Sequence, residues 1–328
     1  MRFGLLTALI FTLILPSVVS AQTISSAEAF TASVNPQYPA PYGQAVLSIL
    51  SSTIDLNNAV AAVSVAGKEI YKGSVRPIAI QLGGAGIVTN VKVTITSAGA
   101  NYSQTLSIQP QDVALIAEPI SSVPPLYPGK SLVPFEGDVR VVAMANLQGA
   151  KGEIIDPAVL SYSWTVDDTQ IANASGIGKQ AIIVASPLQY RSRQVSVAVM
   201  SQDGSLVGGA SFSLAAEEPS VRIYKNDPLL GILYDHALSG TYIISDAEDT
   251  FYAAPFSLPT TNGAPLLQWF LSGSIAQTGS SITLRPTGKG QGSAPLSLVA
   301  SAGGSTKATE NLSLSFGAAS GGFSLFGL

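Results

Sequence analysis

The chain has 328 residues, a formal net charge of −4 and no cysteine. The absence of cysteine excludes disulfide bonds, thiolate metal sites and a cysteine nucleophile. Charged residues make up only 11% of the sequence, and because the Lys and Arg residues are scattered rather than grouped in a basic stripe, nucleic-acid binding is not expected.

Residues 1–21 have the pattern of a secretory signal peptide. Arg2 supplies the positive start, the run from Gly4 to Leu15 is apolar, and small residues follow that permit cleavage after Ala21. The apolar run is shorter than the ~20 residues that a membrane-spanning helix needs, and an uncleaved N-terminal anchor is the alternative. The segment predicts an exported protein at the cell surface, in the periplasm or outside the cell, anchored in the membrane if the signal is not cleaved.

The rest of the chain repeats one pattern three times. Each copy has a central strand, then a strand of alternating apolar and polar residues, then a closing apolar-Ser-apolar strand. The central strands contain Val63, Trp164 and Trp269; the alternating strands are 91–95, 195–199 and 296–300; the closing strands are 106–108, 212–214 and 312–314. The copies recur about every 100 residues, which is the length of one β-sandwich domain. The pattern therefore predicts an all-β chain of three tandem β-sandwiches.

Proline-containing segments predict the domain boundaries, because proline interrupts the hydrogen-bond ladder of a sheet. Pro119 and the pair Pro124-Pro125 mark the first boundary, and Pro219 marks the second. The predicted domains are residues 22–118, 119–219 and 220–317, followed by an apolar tail at 318–328. Within the second domain, Asp203-Gly204 predicts a tight hairpin, since both residues tolerate positive φ.

The repeated strand and turn resemble the immunoglobulin-like superfamily. More narrowly, they are similar to the cysteine-free tandem Ig-like and PKD-type domains of exported bacterial envelope proteins. The resemblance is carried by 162–168, which reads Tyr-Ser-Trp-Thr-Val-Asp-Asp, and by 267–273, which reads Leu-Gln-Trp-Phe-Leu-Ser-Gly. The first domain differs from this pattern, because Val63 takes the place of the tryptophan, but Ala66-Gly67 still provides the turn after the strand. The resemblance implies a surface or periplasmic role as a spacer, an adhesin or a subunit of an envelope assembly.

The two tryptophans and one acidic cluster are the first candidates for a site. Trp164 and Trp269 could stack on a sugar, but their strand positions favour core residues packed between two sheets. Asp246, Glu248 and Asp249 are the candidate ligands of a calcium ion, although their spacing matches no calcium-binding loop, and solvation of a turn is the alternative.

The single histidine and the C-terminal tail complete the candidates. His236 follows Asp235, but no serine-containing elbow accompanies them, so we interpret it as a surface or turn residue. The tail places four apolar side chains after Gly321-Gly322, and an exposed apolar end is costly unless it docks. The candidate partner-binding residues are Phe323, Leu325, Phe326 and Leu328. They would contact a protein partner or, peripherally, a membrane, unless the tail folds back or frays.

Together these features predict three tandem immunoglobulin-like β-sandwich domains after an N-terminal signal peptide, with no enzymatic activity and no cofactor. The expected partners are other cell-envelope proteins or surface polymers. The alternative is a carbohydrate-binding surface module that uses exposed aromatic residues such as Tyr252. A further alternative is a hydrolase in the third domain that depends on Asp246 or Glu248.

Overall fold

A computed structural model describes residues 29–287 and 291–317. The predicted signal peptide and the tail residues Phe323, Leu325, Phe326 and Leu328 lie outside this range. The described chain contains six β-sheets and three short 3-10 helices, at Leu56–Asn58, Pro157–Val159 and Ala172–Ala174. The predicted all-β, tandem immunoglobulin-like sandwich fold is confirmed. No helix in the described ranges has the length and hydropathy to cross a membrane.

The first two sheets come from seven strands. The strands are β1 (Thr31–Asn35), β2 (Gln44–Leu50), β3 (Val60–Val65), β4 (Lys68–Ser74), β5 (Ile78–Gln81), β6 (Thr89–Ser97) and β7 (Ala100–Ile108). One sheet has the order β1-β2-β5 and the other the order β4-β3-β6-β7. Alternate residues of β6, namely Val91, Val93 and Ile95, are fully buried, as the period-two pattern predicts.

The second sandwich is built from eight strands. The strands are β8 (Asp112–Pro119), β9 (Asp138–Asn146), β10 (Ser161–Val166), β11 (Thr169–Gln170), β12 (Gly176–Ile177), β13 (Ala181–Ala185), β14 (Ser192–Met200) and β15 (Val207–Ala215). One sheet has the order β13-β9-β8 and the other β11-β10-β14-β15, with β12 also paired to β10.

The third sandwich has nine strands. The strands are β16 (Ser220–Asp227), β17 (Gly231–Ile232), β18 (Gly240–Ile244), β19 (Asp249–Phe256), β20 (Leu266–Leu271), β21 (Ser274–Thr278), β22 (Ser281–Leu284), β23 (Gly292–Ala302) and β24 (Thr306–Phe316). Its sheets have the orders β17-β16-β19-β22 and β18-β24-β23-β20-β21. The β18 strand pairs with β24 in parallel, whereas β23 and β24 form a long antiparallel hairpin.

Equivalent hairpins follow the central strand in all three sandwiches. The turn residues are Ala66-Gly67, Asp167-Asp168 and Ser272-Gly273, and all six have positive φ. Two successive positive φ values are the geometry of the type I′ turn, whose twist matches that of the flanking strands. The repeat seen in the sequence is therefore a repeat of backbone geometry, including at the Ala66 turn, whose sandwich lacks the tryptophan.

Both tryptophans are core residues, which confirms that interpretation. Trp164 and Trp269 are 0% exposed, each at the centre of its own apolar cluster. Each indole Nε1–H donates to a backbone carbonyl, that of Lys179 at 2.8 Å and that of Gly279 at 2.9 Å. The polar edge of each ring is thus satisfied inside the protein, and neither ring is available to stack on a ligand.

The strand β8 lies across the predicted domain boundary at residue 118. It ends at Pro119 and pairs antiparallel with β9 along its whole length. Its apolar residues Val113, Leu115 and Ala117 pack on the second core. Pro119 is the last residue of β8, and Pro124 and Pro125 follow that strand. The predicted domain boundaries stay predictions.

Candidate functional site

The acidic cluster of the third sandwich contains an ion pair with a buried carboxylate. Asp249 is 2% exposed, and its Oδ1 lies 3.0 Å from the Nζ of Lys225 on the neighbouring strand β16. The hydrogen bond from Lys225 to Asp249 raises the pKa of the lysine above its usual range, against the opposing effect of burial. Asp249 Oδ2 is buried and has no hydrogen-bond partner within the described residues. The Lys225 ammonium is therefore the main compensation for this carboxylate.

The three calcium candidates do not converge on one site. Asp246 is exposed and shares the Lys225 ammonium at 3.4 Å, while Glu248 forms an ion pair with Arg285. Across residues 29–287 and 291–317, no group of three His, Asp or Glu side chains is arranged to hold a metal ion. The same pairings occupy the two carboxylates on which the hydrolase alternative depended, since Asp246 contacts Lys225 and Glu248 contacts Arg285.

The remaining single-residue candidates lie elsewhere on the third sandwich. His236 is exposed, and its Nδ1 lies 2.8 Å from Oδ2 of its neighbour Asp235. Tyr252, which the carbohydrate alternative treated as exposed, is half-buried, so that expectation is wrong. Its ring packs edge-on against Tyr234, which in turn packs against Tyr224. Burial raises the pKa of the Tyr252 hydroxyl, and the ring belongs to a structural aromatic cluster.

Sequence reasoning missed the most extensive polar feature, which lies where the second and third sandwiches meet. We call it the joint. It consists of residues 120–122 and 133–137, which lie between β8 and β9, together with Glu217, the loop 257–260 and residues 305–306. The second and third sandwiches belong to one compact unit, which also includes residues 35–45 and 80–89.

Main-chain hydrogen bonds connect the two sides of the joint in the manner of a short β-ladder. The N–H of Ser122 donates to the carbonyl of Leu258 at 2.7 Å, and the N–H of Ser257 donates back to the carbonyl of Ser122 at 3.2 Å. Thr260 N–H donates to the carbonyl of Ile120 at 3.1 Å. Ser121 and Pro259 form the corresponding isolated bridge. The loop after β8 therefore extends a strand-like pairing from one sandwich to the next.

Two buried serines reinforce this pairing. Ser257 is fully buried at φ +58°, and its hydroxyl contacts the carbonyls of Glu217 and Val133 at 3.0 and 3.3 Å. Ser122 is 7% exposed, and its Oγ accepts the N–H of Leu258 at 3.1 Å. A non-glycine residue with positive φ costs of order 1–3 kcal/mol unless its surroundings compensate. Here the hydrogen bonds across the joint provide that compensation.

Side-chain contacts close the rim of the joint. Glu136 accepts hydrogen bonds from the hydroxyls of Ser305, in the turn before β24, and of Thr306, the first residue of β24. Gly137 has φ +115°, and a Cβ there would stand 2.9 Å from the Cβ of Pro259. Glycine at 137 thus allows the two backbones to approach.

The chain has been compared with known proteins. No protein-family model matches it, and no curated protein matches it. Among solved structures, it is similar to the central fibronectin-III array of RIM-binding protein at 9% identity, covering 89% of this chain and 97% of that one, with a TM-score of 0.29. The three N-terminal domains of the bacteriophage RB49 highly immunogenic outer capsid protein match at 12% identity, covering 88% and 99%, with a TM-score of 0.23. Immunoglobulin domains 1–5 of Sidekick-1 match at 10% identity, covering 88% and 59%, with a TM-score of 0.30.

Proposed function

We propose that this protein is a non-enzymatic, exported component of a cell envelope, which acts as a spacer or adhesive subunit. In this proposal the second and third sandwiches hold a fixed separation, and the chain presents loops, edges and the C-terminal tail to other envelope proteins or to surface polymers. The signal-like pattern of residues 1–21 supports export, and the low-charge, hydroxyl-rich composition supports an extracellular surface.

The joint is the observation that carries the proposal. Domains within one chain are expected to move relative to each other unless their interface is extensive. Here main-chain pairing at 120–122 and 257–260, the buried serines and the Glu136 contacts all oppose bending. A spacer needs such resistance, because a hinge would let its ends approach. An isolated set of binding modules on flexible linkers would not need buried hydroxyls in its connections.

The cysteine-free sequence allows a direct test of location and assembly. Ile183 is 65% exposed on the second sandwich, so Ile183→Cys gives a single thiol for a membrane-impermeant maleimide. On intact cells of the source organism, we expect this thiol to be labelled and the chain to be retained with the envelope fraction. A chain that stays unlabelled until the cells are lysed would contradict export to the surface. A periplasmic location is tested in the same way on cells whose outer barrier has been permeabilised.

The spacer role is tested by loosening the joint without unfolding the sandwiches. The double variant Ser122→Ala/Ser257→Ala removes the buried hydroxyls, and Ser213→Ala removes an exposed serine of β15 as the matched control. We expect all three chains to be exported, but only the joint variant to lose crosslinks to its envelope neighbours. Equal crosslinking by the joint variant and the control would refute the spacer role while leaving export intact.

A further inference from the structure

The outer face of the second sandwich contains a cleft of about 400 Å³, the size of a small-molecule site. Its floor is formed by the middle of the sheet β10-β14-β15, and its wall by residues 35–38. All of these residues belong to the same compact unit. The cleft lies outside the joint and outside every sequence-predicted site.

The floor of the cleft is a grid of hydroxyl groups in register. Thr165 pairs with Ser196, and Ser196 pairs with Ser211 on the next strand, so three hydroxyl-bearing residues lie side by side. Ser163, two residues before Thr165, extends the same face. The residues between them, such as Trp164 and Val195, point into the core, which fixes the hydroxyls on the outer face. Gln170 Nε2 donates to the Ser163 hydroxyl at 3.0 Å, whereas no protein group in the described part of the chain is hydrogen-bonded to the hydroxyls of Thr165, Ser196 or Ser211.

An aromatic ring stands at the side of this grid. The ring of Tyr38 lies against Gly209, where a Cβ would come within 2.4 Å of the ring carbon Cδ2. Only glycine leaves room for the ring at this place, so the backbone of β15 determines the ring's position. The side chain is half-buried, and Gln37 Nε2 donates to its hydroxyl at 3.3 Å. The cleft therefore combines an aromatic side chain, whose position is determined by the backbone at Gly209, with hydroxyl groups on a hydrogen-bonded β-sheet.

The chemistry of the lining selects the ligand class. None of the twelve lining residues is charged, so a charged ligand would lose its hydration without finding an ionic partner. The floor strand β14 is paired on both sides, by β10 and β15, so it offers no free backbone edge to an extended peptide. A neutral glycan fits both conditions, since its hydroxyls donate to and accept from serine and threonine, and its C–H faces pack on an aromatic ring.

We propose that this cleft binds a neutral glycan chain, with Tyr38 as the aromatic contact and Ser163, Thr165, Ser196 and Ser211 as the hydroxyl partners. The proposal goes beyond the spacer function and does not depend on it, because none of these residues takes part in the joint. It gives the second sandwich a ligand of its own.

The test is calorimetric titration of the full chain with two neutral probes, a hexasaccharide of glucose and one of N-acetylglucosamine. A sulfated or uronic-acid hexasaccharide is the charged arm, that is, the charged control ligand. We expect saturable binding of at least one neutral sugar and none of the charged arm. Tyr38→Ala should weaken binding about tenfold, which corresponds to the ~1.4 kcal/mol at the upper end of an aromatic contact. Tyr42→Ala is its control, because Tyr42 lies in the same segment, is 78% exposed and does not line the cleft.

A second matched pair separates a local effect from a loss of folding. Ser211 and Ser213 are both exposed on the outer face of β15, but only Ser211 lines the cleft. Ser211→Asp places a charge in the cleft and should abolish binding, whereas Ser213→Asp should bind like the parent chain. The absence of saturable binding to every neutral sugar would overturn the proposal, as would binding that Ser211→Asp and Ser213→Asp change equally. Either result would leave the spacer function untouched.

Discussion

The ion pair between Lys225 and Asp249 should be a principal determinant of the stability of the third sandwich. Lys225→Met keeps much of the apolar stem but removes the ammonium 3.0 Å from a carboxylate that is 2% exposed. Because Asp249 Oδ2 has no hydrogen-bond partner among the described residues, the variant leaves a buried carboxylate without its cation. Loss of one partner from a fully buried pair costs about 3–5 kcal/mol. Because the Lys225 side chain is 26% exposed, we expect a smaller fall in the free energy of unfolding, of about 1–3 kcal/mol. Replacing both members, as Lys225→Met/Asp249→Leu, should restore most of the loss.

Urea unfolding followed by tryptophan fluorescence measures this effect in the relevant domain. The chain has two tryptophans, so the background Trp164→Phe leaves Trp269 as the reporter of the third sandwich alone. Lys307→Met, at an exposed position of the same sandwich, is the control and should change the free energy of unfolding little. A cost below about 1 kcal/mol for Lys225→Met, or a double variant as unstable as the single one, would show that water or rearrangement compensates Asp249.

The raised pKa of Lys225 gives the same pair a pH signature. A cation whose pKa is higher in the folded state stabilises fully below its unfolded pKa, here 10.5, and this contribution is lost as the pH rises towards the folded value. The parent chain should therefore lose stability above about pH 10.5, and Lys225→Met should lose less over the same range. Equal losses in both chains would contradict the assignment.

The other predictions concern the cores, one turn and the joint. Trp164→Ala and Trp269→Ala should each cost about 3–5 kcal/mol, with the shift confined to the calorimetric transition of the affected sandwich. Hydrogen bonds from Ser201 and Ser205 lower the pKa of Asp203 to about 2. The contribution of Asp203 to stability is therefore present above its unfolded pKa of 3.8 and is lost as the pH falls through about 2. Thermal melts of Asp203→Asn should show less acid sensitivity in that range. Gly137→Ala should destabilise more than Gly263→Ala in the same melts, because both have φ +115° but only position 137 faces a proline across the joint.

The periodic features of the fold could be predicted from the sequence because they are local. Alternation at 195–199 places valines on one face of any strand, and that face must be buried. Trp164 was assigned to the core from its strand position and size, and its full burial follows from the two-sheet packing. The pair Asp203-Gly204 predicts the hairpin between β14 and β15, but the turn is not the tight one expected, because only Gly204 has positive φ and six residues connect the strands.

The features that were missed depend on which strands become neighbours. Lys225 and Asp249 are 24 positions apart, and only the pairing of β16 with β19 brings them together. The joint depends on serines at 122 and 257, whose backbone partners belong to a different sandwich. Nothing in a serine's local sequence distinguishes a buried hydroxyl in a connection from a solvated one in a loop. The one available signal was the long interval between Pro119 and the strand at 138, which is too long for a simple linker.

The distance between the second and third sandwiches tests the central claim most directly. Ile183→Cys and Ile275→Cys place two spin labels at exposed positions, 65% and 63%, on either side of the joint in an otherwise cysteine-free chain. Pulsed dipolar spectroscopy of the full chain should give one narrow distance distribution, which Ser122→Ala/Ser257→Ala broadens and Ser213→Ala leaves unchanged. A broad distribution in the chain with an intact joint would show that the sandwiches hinge freely, and it would contradict the account of this protein as a spacer.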